Sequence, residues 1–223
     1  MTENETSYKS SHLIVQWGIY FAGLLVMCLG IVLTIKANLG SAPWDVLHIG
    51  LYRQLGLTIG TWSMIVGFAV LTAAALISKR FPQIGAFANM VFVGLFIDLY
   101  MLIPWIRTPD TLSLKIIMLL CGIVINGYGM GLYISAKAGA GPRDSLMLAL
   151  MELTGWKVQY IRIGMEVLVL FFGWLLDGPV AIGTFVFSVT IGPIVGMALP
   201  QCQSLVNRIW MRQAHRKMNG LSR

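Results

Sequence analysis

From about residue 14 the chain alternates long apolar runs with short polar breaks. A helix rising about 1.5 Å per residue needs about 20 residues to cross roughly 30 Å of hydrocarbon. Six windows meet that demand, at about 14–35, 59–78, 85–103, 113–135, 159–176 and 183–199. Polar turns punctuate them: Lys79, Arg80 and Pro82; Arg107, Pro109 and Asp110; Asp177, Gly178 and Pro179. Trp17, Trp62, Trp105, Trp156 and Trp174 fall near the ends of these windows, where an amphipathic indole gains from sitting at headgroup level. The pattern predicts an all-α polytopic membrane protein, one membrane domain over residues 1–223, with no linker long enough to divide it into soluble units.

Two apolar stretches are too short for this scheme. The turns N-L-G-S-A-P-W-D, from Asn38 to Asp45, and K-A-G-A-G-P-R-D, from Lys137 to Asp144, each lead into a helical pattern, ending near Leu55 and Thr154. A dozen residues reach only about 18 Å at helical rise. Too short to cross and too apolar for ordinary loops, they read as re-entrant or interfacial half-helices. If they crossed instead, the chain would have eight segments.

Both stretches belong to an internal repeat. At an offset of 99, Gly40 falls on Gly139, Pro43 on Pro142, Asp45 on Asp144 and Gly56 on Gly155. At 98, Ile84 and Gly85 fall on Ile182 and Gly183, and Gly94 on Gly192. The shared G-x-x-P-x-D carries more weight than the glycines, which number 24 in the chain. Repeat one spans about 14–103 and repeat two about 113–199. Each holds three full spans, an odd number, so the second half should lie inverted relative to the first.

Lysine and arginine set the orientation. With the N-terminus inside, twelve fall in cytoplasmic segments, among them Lys79, Arg80, Lys137, Arg143, Lys157 and Arg208, against Lys36, Arg53, Arg107 and Lys115 outside. Both termini are therefore expected in the cytoplasm. With eight segments the tally would be nearly as good, so length rather than charge favours six. The segment 201–223 reads as a basic tail, with residues 204–217 an amphipathic helix on the anionic inner leaflet.

Composition excludes several function classes. With 57% hydrophobic and 11% charged residues, a soluble fold of 223 residues could not cover its apolar surface. The net charge of +7 is spread thinly between apolar runs and forms no basic, aromatic-interleaved face, so no nucleic acid is expected as a partner. Cys28, Cys121 and Cys202 and the three histidines have no metal-ligand spacing, and no cofactor is expected. No G-x-S-x-G, H-E-x-x-H or P-loop pattern occurs, and the chain does not read as an enzyme.

The candidate chemistry sits at the Pro-x-Asp turns. Proline suits the first helical turn because its missing N–H is not needed there, and Asp45 and Asp144 stand where a carboxylate can accept the first free amides. One reading has them cap the half-helices and nothing more; the other is that broken helices at membrane depth are tolerated mainly where they line a cavity, and paired ones in inverted halves flank solute sites. Within the spans, Asp98, Asn126, Arg162 and Glu166 would be costly facing lipid and should face the interior or an interface. Arg162 and Glu166, one turn apart, suit an ion pair or a relay. Asn89 and Asn126 suit interhelical hydrogen bonding, and His48 is the one histidine near either turn.

The segments LTIKANLGSAPWDVLHIGL, GTWSMIVG and AIGTFVFSVTIGPIVG resemble the bacterial YczE family of small multi-spanning membrane proteins and, more distantly, the YitT-type proteins. The resemblance covers nearly the whole chain. It implies a bacterial cytoplasmic-membrane location and carries no assigned activity. Only the turn N-L-G-x-x-P-W-D transfers as a hallmark, onto Asn38, Leu39, Gly40, Pro43, Trp44 and Asp45; the second turn keeps Gly139, Pro142 and Asp144 but has Arg143 where the first has tryptophan. Two readings follow. One is a small-solute transporter or permease component whose site lies at the two half-helices. The other is a membrane accessory protein supporting a biosynthetic or export assembly. Beyond the lipid bilayer, the expected partners are a small-molecule solute and either another membrane protein or further copies of this chain.

Overall fold

The structure, a computed structural model, describes residues 3–221, with side chains described for 13–211. Eight helices account for nearly all of it: α1 (Glu3–Ala37), α2 (Pro43–Leu55), α3 (Ile59–Ser78), α4 (Ile84–Met101), α5 (Leu112–Ser135), α6 (Pro142–Thr154), α7 (Val158–Leu175) and α8 (Ile182–Leu221). Six of them are long and apolar enough to cross a bilayer. The other two, α2 and α6, are the 13-residue helices that begin at Pro43 and Pro142.

The expected spans match these helices closely except at α8. No proline or glycine interrupts residues 201–219, so nothing ends the helix after Pro200 and it continues to Leu221. The expected surface helix at 204–217 is instead an extension of α8, whose 40 residues reach about 60 Å. The tail cations Arg212, Arg216, Lys217 and Arg223, like Lys9, lie outside the described side chains.

The offsets found in the sequence recur in the backbone. Left-handed residues come in matched pairs, Asn38 with Lys137, Gly40 with Gly139, Gly56 with Gly155 and Lys79 with Asp177; Leu57 alone is unmatched. Asparagine and glycine tolerate this conformation best, which accounts for Asn38 and Gly40 in the hallmark turn.

At the centre α1 and α5 pack antiparallel. Gly23 and Gly30 of α1 lie on the backbones of Tyr133 and Asn126, and Gly129 of α5 lies on that of Met27. α4 runs parallel to α1, held by Tyr20 Oη donating to Gly85 O at 2.6 Å, and α8 runs parallel to α5, with Gly127 against Ile194 and Gly131 against Ala198. Tyr20, Leu24, Cys28, Val32 and Ile97 are almost wholly buried in the cluster around α1. A second cluster joins Leu119 and Ile123 to Phe187 and Ile191.

The turns cross over between the halves. Leu39 O accepts from Gly183 N at 2.7 Å, seating the first turn on the start of α8. The second turn, at Ala138 and Gly139, lies against Gly85 at the start of α4. These contacts lie at opposite ends of the bundle, because α1 and α5 point in opposite directions.

One pair of contacts breaks the correspondence. α3 packs along α4, whereas α7 and α8 hardly touch. Gly60 and Gly94 bring the α3 and α4 backbones together, and Asp98 ties them by accepting from Gly60 N at 2.9 Å and Thr58 Oγ1 at 2.6 Å. At the corresponding places in the second half stand Gln159, Gly192, Gly196 and Lys157, which cannot repeat that clamp. Gly164, Gly192 and Gly196 face open space.

Candidate functional site

Both half-helices point their N-termini inward. α2 lies against the C-terminal end of α7, where Gly50 meets Gly173, and Arg53 donates to Asp177 O. α6 packs on α3, with Arg80 3.7 Å from Glu152. From these opposite anchorages their first turns meet beside α1 and α5. The Arg143 guanidinium stands 4.7 Å over the Trp44 ring, a cation–π contact that replaces nothing and shares the interior with both aspartates.

Around this contact is a cavity of about 160 Å³, lined by residues of all eight helices. One water needs roughly 10–15 Å³ by this kind of measure, so a small solute or several waters fit. Of the residues singled out in the sequence, Pro43, Trp44, Asp45, Pro142, Arg143 and Asp144 line it, as do Asn126, Arg162 and Glu166. Asn38, Gly40 and Gly139 do not. They shape the turns behind the wall, Gly40 with φ of 103° pressed against Thr184. Asp98 is also no part of the cavity, since its carboxylate is committed to the α3–α4 clamp. Arg143, counted in the sequence among cytoplasmic cations, instead reaches inward to the tryptophan of the other turn.

The aspartates do not cap their own helices. Asp144 Oδ2 accepts from Tyr133 Oη at 3.2 Å, and Asp45, 2% exposed, makes no hydrogen bond. Its neighbour His48, also 2% exposed, holds Nδ1 3.8 Å from Asp45 Oδ1, beyond hydrogen-bond reach, and that nitrogen has no partner. Arg143 likewise donates to no protein acceptor; it is exposed and lines the cavity. Arg162 Nε donates to Glu166 Oε1 at 3.1 Å, the expected ion pair one turn apart.

Sequence reasoning missed Tyr133, Ser63 and the sulfur-rich part of the wall, Met27, Met90, Met130, Met147 and Met165. Methionines in an apolar run carry no positional signal, and Tyr133 is marked only by standing one turn before the second turn begins. Asn89 does line the cavity, with its amide against Gly141.

Eight helices, six of spanning length, around a cavity lined by apolar and charged side chains define an all-α, multi-spanning membrane protein. Residues 14–200 match the family described as "Family of unknown function (DUF6198)", and the chain belongs to that family. It is similar to "Uncharacterized membrane protein YczE" of Bacillus subtilis (strain 168), with 43% identity over 196 residues, 87% of this chain and 90% of that one. It is also similar to "Uncharacterized protein YyaS" of the same organism, with 29% identity over 88% of this chain and 96% of that one. An "Uncharacterized protein" of Haemophilus influenzae is 32% identical over 77% of this chain and 78% of its own length. No solved structure matches the chain.

Proposed function

We propose that the protein is a small-solute transporter, or the solute-binding component of a permease, with its site between the two Pro-x-Asp turns. The observation that carries this reading is the meeting of Trp44 and Arg143 in one cavity, although their turns start at opposite ends of the bundle. Backbone freed at a broken helix must find partners in protein or water, and side chains reaching the middle from both ends give a site that either membrane face can open onto. Asp45 and Asp144 contribute carboxylates, Arg143 a guanidinium with unused donors, and the methionines an adaptable apolar wall.

The test is accessibility. In a chain whose three cysteines are replaced, a cysteine at Met147 should react with a membrane-impermeant thiol reagent applied from either side. Asp45→Asn with Asp144→Asn should abolish function while insertion and thermal stability persist. A cavity that never labels, or aspartate variants that merely fail to accumulate, would sink the reading.

The accessory-protein reading has one observation of its own. α7 buries only Ile161, Val169 and Gly173, leaving most of a spanning helix uncovered. On that reading, deleting residues 204–223 or altering the exposed face of α7 abolishes function, and the aspartate changes do not.

A further inference from the structure

The cavity is not sealed alike on its two sides. Between α3 and α4 it is shut by the Gly60–Gly94 approach and the Asp98 clamp. Between α7 and α8 it is not shut. Arg162, Met165 and Glu166 of α7 and Phe187 and Ile191 of α8 all line it, although the two helices barely meet. Glu166 stands where the repeat places Gly67 in the closed half, and Ser188 where it places Met90, so the contact made by Gly67 on Met90 has no counterpart. The exposed residues of the two helices at this level are apolar, Ile163 and Val167 on α7 and Phe185 and Val189 on α8. The gap's position along two spanning helices puts it within the thickness of the bilayer.

The charges inside are unequal. Arg162 is matched by Glu166, which leaves Arg143 against Asp45 and Asp144, with neither within 4 Å of it. Asp45 is buried and accepts no hydrogen bond, and His48 Nδ1 beside it is also without one. Both line the cavity. A buried carboxylate in excess is met most directly by a cation that donates hydrogen bonds.

Resting on the reading of the cavity as a solute site, we infer that the ligand is a single-chain amphiphile with a protonated amine head, which enters sideways from the bilayer between α7 and α8. The head pairs with Asp45, and the chain lies in the gap. At about 160 Å³ the cavity takes a head group but not a long chain, so the chain must leave through the side that is open.

The experiment uses the full chain in phosphatidylcholine nanodiscs, with 2-bromododec-2-enylammonium, whose vinylic bromine lies beside the amine head, as probe and ethylammonium as its chainless counterpart. Bromine quenches tryptophan on contact. Trp105, Trp156 and Trp174 are exposed and report the probe in lipid, whereas Trp44 is 7% exposed and lines the cavity, so it reports the probe's head inside. Its share is the difference between the wild type and Trp44→Phe. The expected result is quenching of Trp44, weakened at least tenfold in probe concentration by Asp45→Asn. Gly192→Leu should weaken it as far, and Gly196→Leu, at the place where the first half has Asp98, provides a second plug if the first fails to fold; a Cβ at either glycine meets nothing within 4 Å. Ethylammonium should still raise Tm in the plugged variants.

Quenching of the exposed tryptophans but not Trp44 overturns the inference, and so does quenching unaffected by the plugs. Quenching unaffected by Asp45→Asn overturns the amine head. If ethylammonium raises Tm in the wild type and the plugged variants but not in Asp45→Asn, while Trp44 stays unquenched, the sideways route fails and the solute site stands. If neither probe has any effect, the inference fails, and the solute reading then rests on the Met147 labelling alone.

Discussion

Gly94 and Gly192 occupy corresponding places in the two halves, and one methyl group at each should have opposite effects. A Cβ at Gly94 would lie 2.5 Å from Gly60 O and from Met64 Cγ, and the carbonyl belongs to a helix backbone that cannot step aside without moving α3. Overpacking of this kind costs about 1–3 kcal/mol, partly offset by the roughly 0.8–1 kcal/mol that alanine gains over glycine in a helix. A Cβ at Gly192 meets nothing within 4 Å, so only the gain applies. Gly94→Ala should therefore be destabilised by about 1–2 kcal/mol and Gly192→Ala stabilised by up to about 1 kcal/mol. At about 2–4 °C per kcal/mol for chains of this size, the two Tm values should differ by roughly 5–10 °C. The assay is thermal unfolding of each purified variant in the same nanodisc, followed by tryptophan emission and, independently, by the exposure of Cys28, which is buried. If Gly192→Ala loses as much stability as Gly94→Ala, then α8 is packed at that face in the membrane and the open gap is wrong.

Further predictions concern other contacts. Gly129→Ala places a methyl on the Met27 backbone at the α1–α5 crossing and should cost more than Gly94→Ala, with a larger fall in Tm or failure to insert. Tyr133→Phe removes the donor to Asp144 and should lower stability by about 1 kcal/mol while leaving the fold intact, read by thermal unfolding. Asp98→Asn keeps the size but weakens a charge-assisted clamp at the start of α3, and a loss of about 1–2 kcal/mol is expected; no loss would mean that the glycine contact alone holds α3 to α4. In a chain without native cysteines, cysteines at Ser78 and Asp110 should label from opposite sides of the membrane, the first from the cytoplasmic side; the reverse would overturn the orientation read from the lysines and arginines.

Much of the architecture was legible because hydrocarbon thickness is a length and helices convert residues into length at a fixed rate. Spans such as Ile59–Ser78 were bounded correctly by hydropathy alone. The half-helices were legible for the converse reason, since 13 residues after a proline cannot cross. The tail was misjudged because charge pattern does not say whether a helix stops before its amphipathic stretch, and nothing in residues 201–219 stops α8. At the site, the Pro-x-Asp turns gave the right neighbourhood but not the direction of the side chains. Asp98 and Asp45 are both acids near helix ends in apolar surroundings; one ties two helices and the other faces a cavity, a difference set by which helix passes alongside. The gap between α7 and α8 arises from what the second half lacks, and only comparison with the clamp of the first half makes those missing residues meaningful.

The crossing of the turns bears on how such a chain is assembled. Gly85 supplies the seat for a loop made some fifty residues later, and the first loop waits for Gly183 before its carbonyl is satisfied. Neither half completes itself, so fragments cut between Met101 and Leu112 should be short-lived alone and recoverable only when co-expressed. A forebear half this long would have needed to insert in both directions and to pair with its own mirror-placed copy.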